Sequence, residues 1–153
     1  EQAIEEFNTA ILLKPQDTRY HVNRGVAHGE LGHHVQAIED FGEVIQLDPT
    51  FAMAYSARGK IYYDMGQYER SIEDFDRAIE LDPNYMAAWN NRGRARMDTG
   101  DHDGAFADFT HAIASNPKNW RAWTNRGLVR MAKGDFDGAK SVGDIGISCP
   151  LRR

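Results

Sequence analysis

Apolar residues recur at three- and four-residue steps in paired stretches along the chain, which is the spacing of one face of an α-helix. The clearest pair lies within residues 52–85. Its first stretch predicts a helix that Gly66 ends, because glycine accepts the left-handed backbone that closes a helix C-terminus. Its second stretch, residues 68–81, predicts a helix that stops at Asp82-Pro83, since the residue before proline leaves the helical region. With so short a connection, the two helices are predicted to lie antiparallel.

The whole chain repeats this pattern at a fixed step of 34 residues. Four sets of positions follow the step: Pro15, Pro49, Pro83 and Pro117; Gly25, Gly59, Gly93 and Gly127; Gly32, Gly66, Gly100 and Gly134; and Phe7, Phe41, Phe75 and Phe109. A fixed period of this length is typical of a stacked repeat protein rather than a single folded-back core.

The period divides the chain into a repeat domain at residues 1–147 and a tail at 148–153. The domain starts with a half-repeat, 1–17, followed by repeats at 18–51, 52–85, 86–119 and 120–147. Repeat 18–51 is predicted to be helical but looser, because His21 and His28 replace aromatic residues and Gly42 interrupts its second helix. Gly143 and Gly146 predict a frayed or short last helix, since each interior glycine costs roughly 1 kcal/mol relative to alanine.

One repeat carries Tyr55, Arg58-Gly59, Tyr62, Ser71, Phe75, Ala78 and Pro83, and the next carries Trp89, Arg92-Gly93, Ala105, Phe109, Ala112 and Pro117. This pattern resembles the tetratricopeptide repeat family over nearly the whole chain. The resemblance implies an all-α, right-handed superhelical solenoid of antiparallel helix pairs, with four repeats after the leading half-repeat. It also implies that the first helices line a concave groove that holds a peptide or a partner's helix.

Small residues are predicted where the two helices of a repeat cross, because a larger side chain would overpack the contact. The predicted pairs are Gly25/Ala37, Gly59/Ser71, Gly93/Ala105 and Gly127/Ala139.

An arginine replaces the family's usual leucine in each repeat, at Arg24, Arg58, Arg92 and Arg126, and an aspartate recurs in the second helices at Asp40, Asp74 and Asp108. Antiparallel packing should bring each arginine near an aspartate of its own or a neighbouring repeat. Two interpretations stay open, a structural ion pair and an arginine row that binds carboxylate or phosphate ligands. Val142 replaces the aspartate in the last repeat, so Arg126 should be the least neutralised.

Composition excludes several classes of function. The net charge of −5 argues against a nucleic-acid or anionic-membrane binder, and no apolar run approaches the roughly 20 residues that span a bilayer. The chain starts at Glu1 inside a repeat, so we expect it to be part of a longer protein. Localisation stays open, with a soluble, cytoplasmic setting favoured. Cys149 is the single cysteine, which excludes an intramolecular disulfide.

No pattern in the sequence predicts catalysis, a cofactor or a metal site. Of the six histidines, His33 and His34 are adjacent in a turn and the other four are scattered over different helices, without the converging ligands at set spacing that metals require. The acidic turns at residues 101–104 and 135–138 lack the twelve-residue ligand pattern of a calcium loop. There is no phosphate-binding loop and no nucleophile motif, so we predict that the segment is not an enzyme.

The predicted binding surface is the face of the first helices that packing within a repeat leaves open. Its residues are Ser56, Lys60, Tyr63, Asn90, Asn91, Arg94, Met97, Arg121, Asn125 and Leu128. Asparagine amides can hold a peptide main chain, while lysine and arginine attract acidic groups. The set partly resembles the family's carboxylate clamp: Asn91 and Arg121 fit, whereas Lys60 and Asn125 stand where the clamp has an asparagine and a basic residue. The alternative is that these are ordinary solvated side chains.

These features predict a protein–protein interaction scaffold that binds a peptide segment or helix of a partner, with acidic groups favoured in that partner. The alternatives are a self-associating element, which would pair through the exposed apolar stripe of residues 1–13 and the weak last helix, and a regulatory arm of a larger protein.

Overall fold

The structure is a computed structural model that describes residues 2–136. These residues form an all-α fold, as predicted, with no strand among them. Within the described residues eight helices follow one another: α1 Gln2–Leu13, α2 Thr18–Glu30, α3 His34–Leu47, α4 Ala52–Asp64, α5 Tyr68–Leu81, α6 Met86–Asp98, α7 His102–Ser115 and α8 Trp120–Ala132. The predicted helix at residues 68–81 is confirmed at both ends as α5.

The described residues form two compact units, which divide along the chain between Ala88 and Trp89. In the first unit each helix packs against its neighbours in sequence, α1 on α2, α2 on α3, α3 on α4 and α4 on α5. In the second unit α7 packs against α8, and side chains of α6 bind α7. Burial between sequence neighbours is what a stacked repeat requires.

Both kinds of helix ending agree with the sequence. The first helices end at glycines with positive φ, which is 75° at Gly32 and 73° at Gly66. The backbone N–H of Gln67 then donates to the carbonyl of Tyr62 at 2.9 Å, which closes the helix end. The second helix α5 ends at Asp82, whose extended backbone (φ −139°) precedes proline.

Gly42 does not interrupt its helix, contrary to the prediction. Helix α3 runs without a break through this position. No atom lies within 4 Å of a Cβ built there, so the glycine faces open space and alters no packing. Its cost is conformational only, about 1 kcal/mol, and the packed face of α3 compensates for it. Gly143, Gly146 and the predicted short last helix lie outside the described residues.

The atoms nearest to the glycines of the first helices belong to residues one turn after the predicted small residues. A Cβ on Gly93 would lie 2.8 Å from the ring of Phe109 and 3.2 Å from the Cβ of Asp108. These residues come three and four positions after the predicted partner Ala105. Ala105 is fully buried and packs in a cluster with Phe109 and Val129. The same shift holds for Gly25/Ala37 and Gly59/Ser71, and Ala139 lies outside the described residues.

In three repeats a ring side chain of the first helix forms a hydrogen bond with the carbonyl of the proline in the turn before that helix. The sequence interpretation did not predict these hydrogen bonds. The Nε2 of His21 lies 3.0 Å from the Pro15 carbonyl. The Tyr55 hydroxyl donates to the Pro49 carbonyl at 3.3 Å, and the Trp123 indole does so to Pro117 at 2.9 Å. His21 therefore forms the same hydrogen bond to the turn as the aromatic residue that it replaces.

Candidate functional site

Three of the four repeated arginines bind the aspartate of their own repeat. Arg58 donates from Nε and Nη2 to the two carboxylate oxygens of Asp74, both at 2.8 Å. Arg92 binds Asp108 in the same way at 2.9 and 2.6 Å, and the Arg24–Asp40 pair repeats the arrangement at 3.0 and 2.6 Å. The hydrogen bond to Asp74 raises the pKa of Arg58 above its usual value. These guanidinium groups therefore connect the two helices of a repeat through paired hydrogen bonds.

Arg126 has no such carboxylate among the described residues. Its Nη1 reaches the hydroxyl of Thr110 on α7 at 3.4 Å, while its Nε is buried without a hydrogen-bond partner in the described part of the chain. The guanidinium lies 4.6 Å from the centre of the Trp123 ring. Burial, and then the charge of Arg130, lower the pKa of Arg126. Val142, the residue that replaces the aspartate in sequence, lies outside the described residues.

The first unit holds three of the predicted binding residues, all on α4. Lys60 is exposed and its Nζ lies 2.6 Å from Asp64, one turn later. The half-buried ring of Tyr63 lies 5.5 Å from that of Tyr68. Ser56 is only 5% exposed, so a partner could not reach its hydroxyl. Its inclusion in the binding surface is corrected, because helical periodicity alone did not show that this position is covered.

In the second unit, α6 and α8 carry the other predicted residues. Arg94 and Arg121 are exposed, and Asn91 and Asn125 are half-buried. Asn90 is also half-buried, and Leu128 is exposed on α8. Met97 contributes to packing, since it lies against the cluster of Ala105, Phe109 and Val129.

An open depression brings three of these residues together. Its volume is about 280 Å³, and its lining consists of Arg94, Trp120, Arg121, Thr124 and Asn125. The guanidinium of Arg121 lies 5.5 Å from the centre of the Trp120 ring. Two cationic groups, an indole, a hydroxyl and an amide therefore share one small surface. Such a set can bind a carboxylate, an apolar side chain and a peptide group at once.

Trp120 is the residue of this surface that the sequence interpretation missed. It follows the N-cap Asn119 and begins α8. At the same position other repeats carry Thr18, Ala52 and Met86, so comparison between repeats gave no signal for an aromatic there. Its exposure is the signal, because a large exposed indole next to arginine is characteristic of interaction surfaces.

A second open depression lies in the first unit, at the turn between α1 and α2, and is lined by residues 14–18. There Arg19 binds the carboxylate of Asp17 and lowers its pKa to about 2. This Asp17 side chain also accepts from the Arg19 backbone N–H as the N-cap of α2. These contacts account for the turn, and none of the predicted binding residues lies there.

Within residues 2–136, no three histidine, cysteine, aspartate or glutamate side chains come together in a way that could hold a metal ion. Two histidines do meet: the Nδ1 atoms of His28 and His33 are 3.2 Å apart. The sequence interpretation did not predict that these two histidines meet. None of the described helices has the length and apolar character needed to cross a bilayer.

Comparison with known families identifies the repeat. A profile described as TPR repeat matches residues 30–66 and 59–100, and one described as tetratricopeptide repeat matches residues 92–144. The chain belongs to the tetratricopeptide repeat family. Repeats of this family mediate protein–protein interactions and are typically non-enzymatic scaffolds. No curated protein sequence matches the chain significantly.

Solved structures of tetratricopeptide repeat proteins are similar to this chain. The crystal structure of MamA is 26% identical, with 92% of this chain and 82% of that chain covered at a TM-score of 0.87. The second TPR domain of human RPAP3, in complex with the HSP70 peptide SGPTIEEVD, is 29% identical to this chain. The match covers 72% of this chain and 92% of that chain at a TM-score of 0.70. The first TPR of Spaghetti (RPAP3), bound to the HSP90 peptide SRMEEVD, is 20% identical to this chain. The match covers 78% of this chain and 94% of that chain at a TM-score of 0.76. This last likeness shows the fold alone.

Proposed function

We propose that this tetratricopeptide chain binds an extended, acidic peptide segment of a protein partner on the depression between α6 and α8. The observation that supports the proposal is the shared lining of that depression by Arg94, Trp120, Arg121 and Asn125. A chain with a net charge of −5 presents two exposed guanidinium groups there. Exposed guanidinium groups favour acidic partners.

Each side chain has a defined task in the proposed complex. Arg94 and Arg121 bind carboxylates of the peptide, because a guanidinium matches a carboxylate with two parallel hydrogen bonds. The amide of Asn125 binds a main-chain group, since it offers both a donor and an acceptor. Trp120 covers an apolar side chain. All four lie on helices, so the surface is formed before the peptide arrives and ordering it costs little.

The acidic class of ligand also agrees with a relative. The second TPR domain of human RPAP3 is in complex with a peptide whose sequence ends in Glu-Glu-Val-Asp. In this chain Asn91 and Arg121 fit the family's carboxylate clamp, but Lys60 and Asn125 do not. We therefore propose the acidic peptide class and not the same ligand. Lys60 and Tyr63 of the first unit remain predicted contacts.

The test is a selection of random nine-residue peptides on the full chain, followed by fluorescence anisotropy with the enriched peptides. We expect the selected peptides to be enriched in Asp and Glu. The Arg94→Glu and Arg121→Glu variants should each bind these peptides at least about tenfold more weakly than the wild type, which is about 1.4 kcal/mol of binding free energy. The matched control is Arg77→Glu, an exposed arginine on α5, which should bind like the wild type.

A second pair of changes tests the amides. Asn91→Ala combined with Asn125→Ala should weaken binding while the circular dichroism spectrum stays unchanged, because both side chains are only half-buried. Equal affinity of the enriched peptides for the wild type, both charge reversals and the double variant would exclude this surface.

We propose self-association through α1 as the second candidate function. No residue of α1 is fully buried, and Leu12 and Leu13 are 84% and 78% exposed. Burial of such leucines in a dimer would be worth roughly 1.5–3 kcal/mol each. Light scattering over a concentration series tests this, with Leu12→Glu as the comparison. A strict monomer at high concentration removes the candidate and leaves peptide binding unaffected.

A further inference from the structure

Two imidazoles meet at the turn that joins α2 to α3. The Nδ1 atoms of His28 and His33 lie 3.2 Å apart, and the ring centres are 5.5 Å apart with planes inclined by 47°. The backbone sets this approach, because the His33 N–H donates to the His28 carbonyl at 2.8 Å after the left-handed Gly32. In this helix ending the side chains five residues apart come into contact.

The other repeats place different pairs at the same two positions. They are Tyr62 with Gln67, Arg96 with Asp101 at 3.6 Å, and Arg130 with Asp135 at 3.7 Å, in each case with the same closing backbone hydrogen bond. In three of the four repeats the turn also brings the two side chains close to each other. The last two of these pairs are ion pairs, and only at residues 28 and 33 does the repeat supply two imidazole ligands.

We propose that His28 and His33 form a two-histidine site for a divalent transition-metal ion, with water completing the coordination. Metal–nitrogen bonds of 2.0–2.1 Å at the tetrahedral angle place two ligand atoms about 3.3 Å apart. The observed separation of 3.2 Å needs no movement of the backbone. His33 is exposed and His28 half-buried, so an ion can reach the pair from solvent.

The chemistry of the pair selects the metal. Imidazole nitrogens suit Zn²⁺, Ni²⁺ and Cu²⁺, whereas Mg²⁺ and Ca²⁺ require oxygen ligands. A ligand histidine must be neutral. Because the site has two protein ligands and not the four of structural zinc sites, it exchanges its ion readily. The bound ion connects the end of α2 to the start of α3.

Calorimetric titration of the full chain with Ni²⁺ or Zn²⁺ alone tests the proposal. The variants are His28→Asn and His33→Asn, and the matched control is His111→Asn, which changes an exposed histidine of the second unit. We expect one saturable site in the wild type and the control. Both site variants should lose at least about tenfold in affinity, the lower end of the effect of removing even an outer-shell partner from a metal site.

Thermal unfolding gives an independent readout. Zn²⁺ should raise the Tm of the wild type and of His111→Asn, because an ion that binds only the folded chain stabilises it, and Mg²⁺ should not. The Tm of His28→Asn should not respond to Zn²⁺. Equal metal affinity in all variants, or no saturable binding by the wild type, would overturn the proposal.

Discussion

The Arg58–Asp74 pair gives the sharpest prediction about what holds a repeat together. Asp74→Ala removes a carboxylate that is 9% exposed and leaves its arginine, 23% exposed, in place. Loss of one partner from a buried pair costs about 3–5 kcal/mol, because the remaining charge stays desolvated. Since water partly reaches Arg58, we expect the lower end, about 3 kcal/mol in the free energy of unfolding. Denaturant titration followed by circular dichroism at 222 nm measures it.

A double-mutant cycle separates the pair from its surroundings. Arg58→Met should cost a similar amount, since it leaves Asp74 buried without its arginine. The double variant should cost less than the two single changes together, because an apolar replacement of both partners is often neutral. The control on the same helix is Glu80→Ala, whose partner Arg77 is 46% exposed. That exposed pair should contribute no more than about 1 kcal/mol.

Additive costs in the cycle would refute this account of the pair. So would a cost for Asp74→Ala no larger than that for Glu80→Ala. Either result would mean that the paired hydrogen bonds at 2.8 Å contribute no more than a solvated surface contact.

Two further predictions concern packing and charge. Gly93→Ala should destabilise the chain by about 1–3 kcal/mol, because its Cβ would lie 2.8 Å from the ring of Phe109. Gly42→Ala should stabilise the chain by about 0.5–1 kcal/mol, since open space surrounds that position. Thermal unfolding of the two variants measures both effects. The Lys133 ammonium lowers the pKa of Asp103 below its ordinary value of 3.8. The pair therefore stabilises the folded chain at pH values above 3.8. This stabilisation is lost as the pH falls through the lower pKa that Asp103 has in the folded chain. Lys133→Ala should return the pKa of Asp103 towards 3.8 in an NMR titration.

Periodicity was sufficient to predict the helices and their ends, because each depends on local rules. Gly66 and Pro83 act through the backbone of their own turn, so the bounds of α5 follow from sequence. The sequence predicted that each arginine lies near an aspartate of its own or a neighbouring repeat, and the structure shows Arg58 bound to Asp74 of its own repeat. Gly42 misled the interpretation because propensity ignores the packing on the opposite face of the helix.

The candidate site was less predictable, because it depends on burial and on side chains from different turns. Ser56 lies at the helical spacing of the binding face and is nevertheless covered. Trp120 was missed because no other repeat carries an aromatic at that position. The contact of His28 with His33 crosses a glycine turn that recurs in the repeats, but no other repeat carries histidines at these two positions. Each of these facts requires three-dimensional neighbours.

Cross-linking of a bound peptide tests the central claim most directly. A photoreactive residue is placed at Thr124, which lines the depression, and in a second protein at Arg77 on α5. An acidic peptide enriched in the selection is added to both, and the adducts are located by mass spectrometry. The account predicts capture at position 124 and none at position 77. Capture at position 77 without capture at position 124 would contradict it.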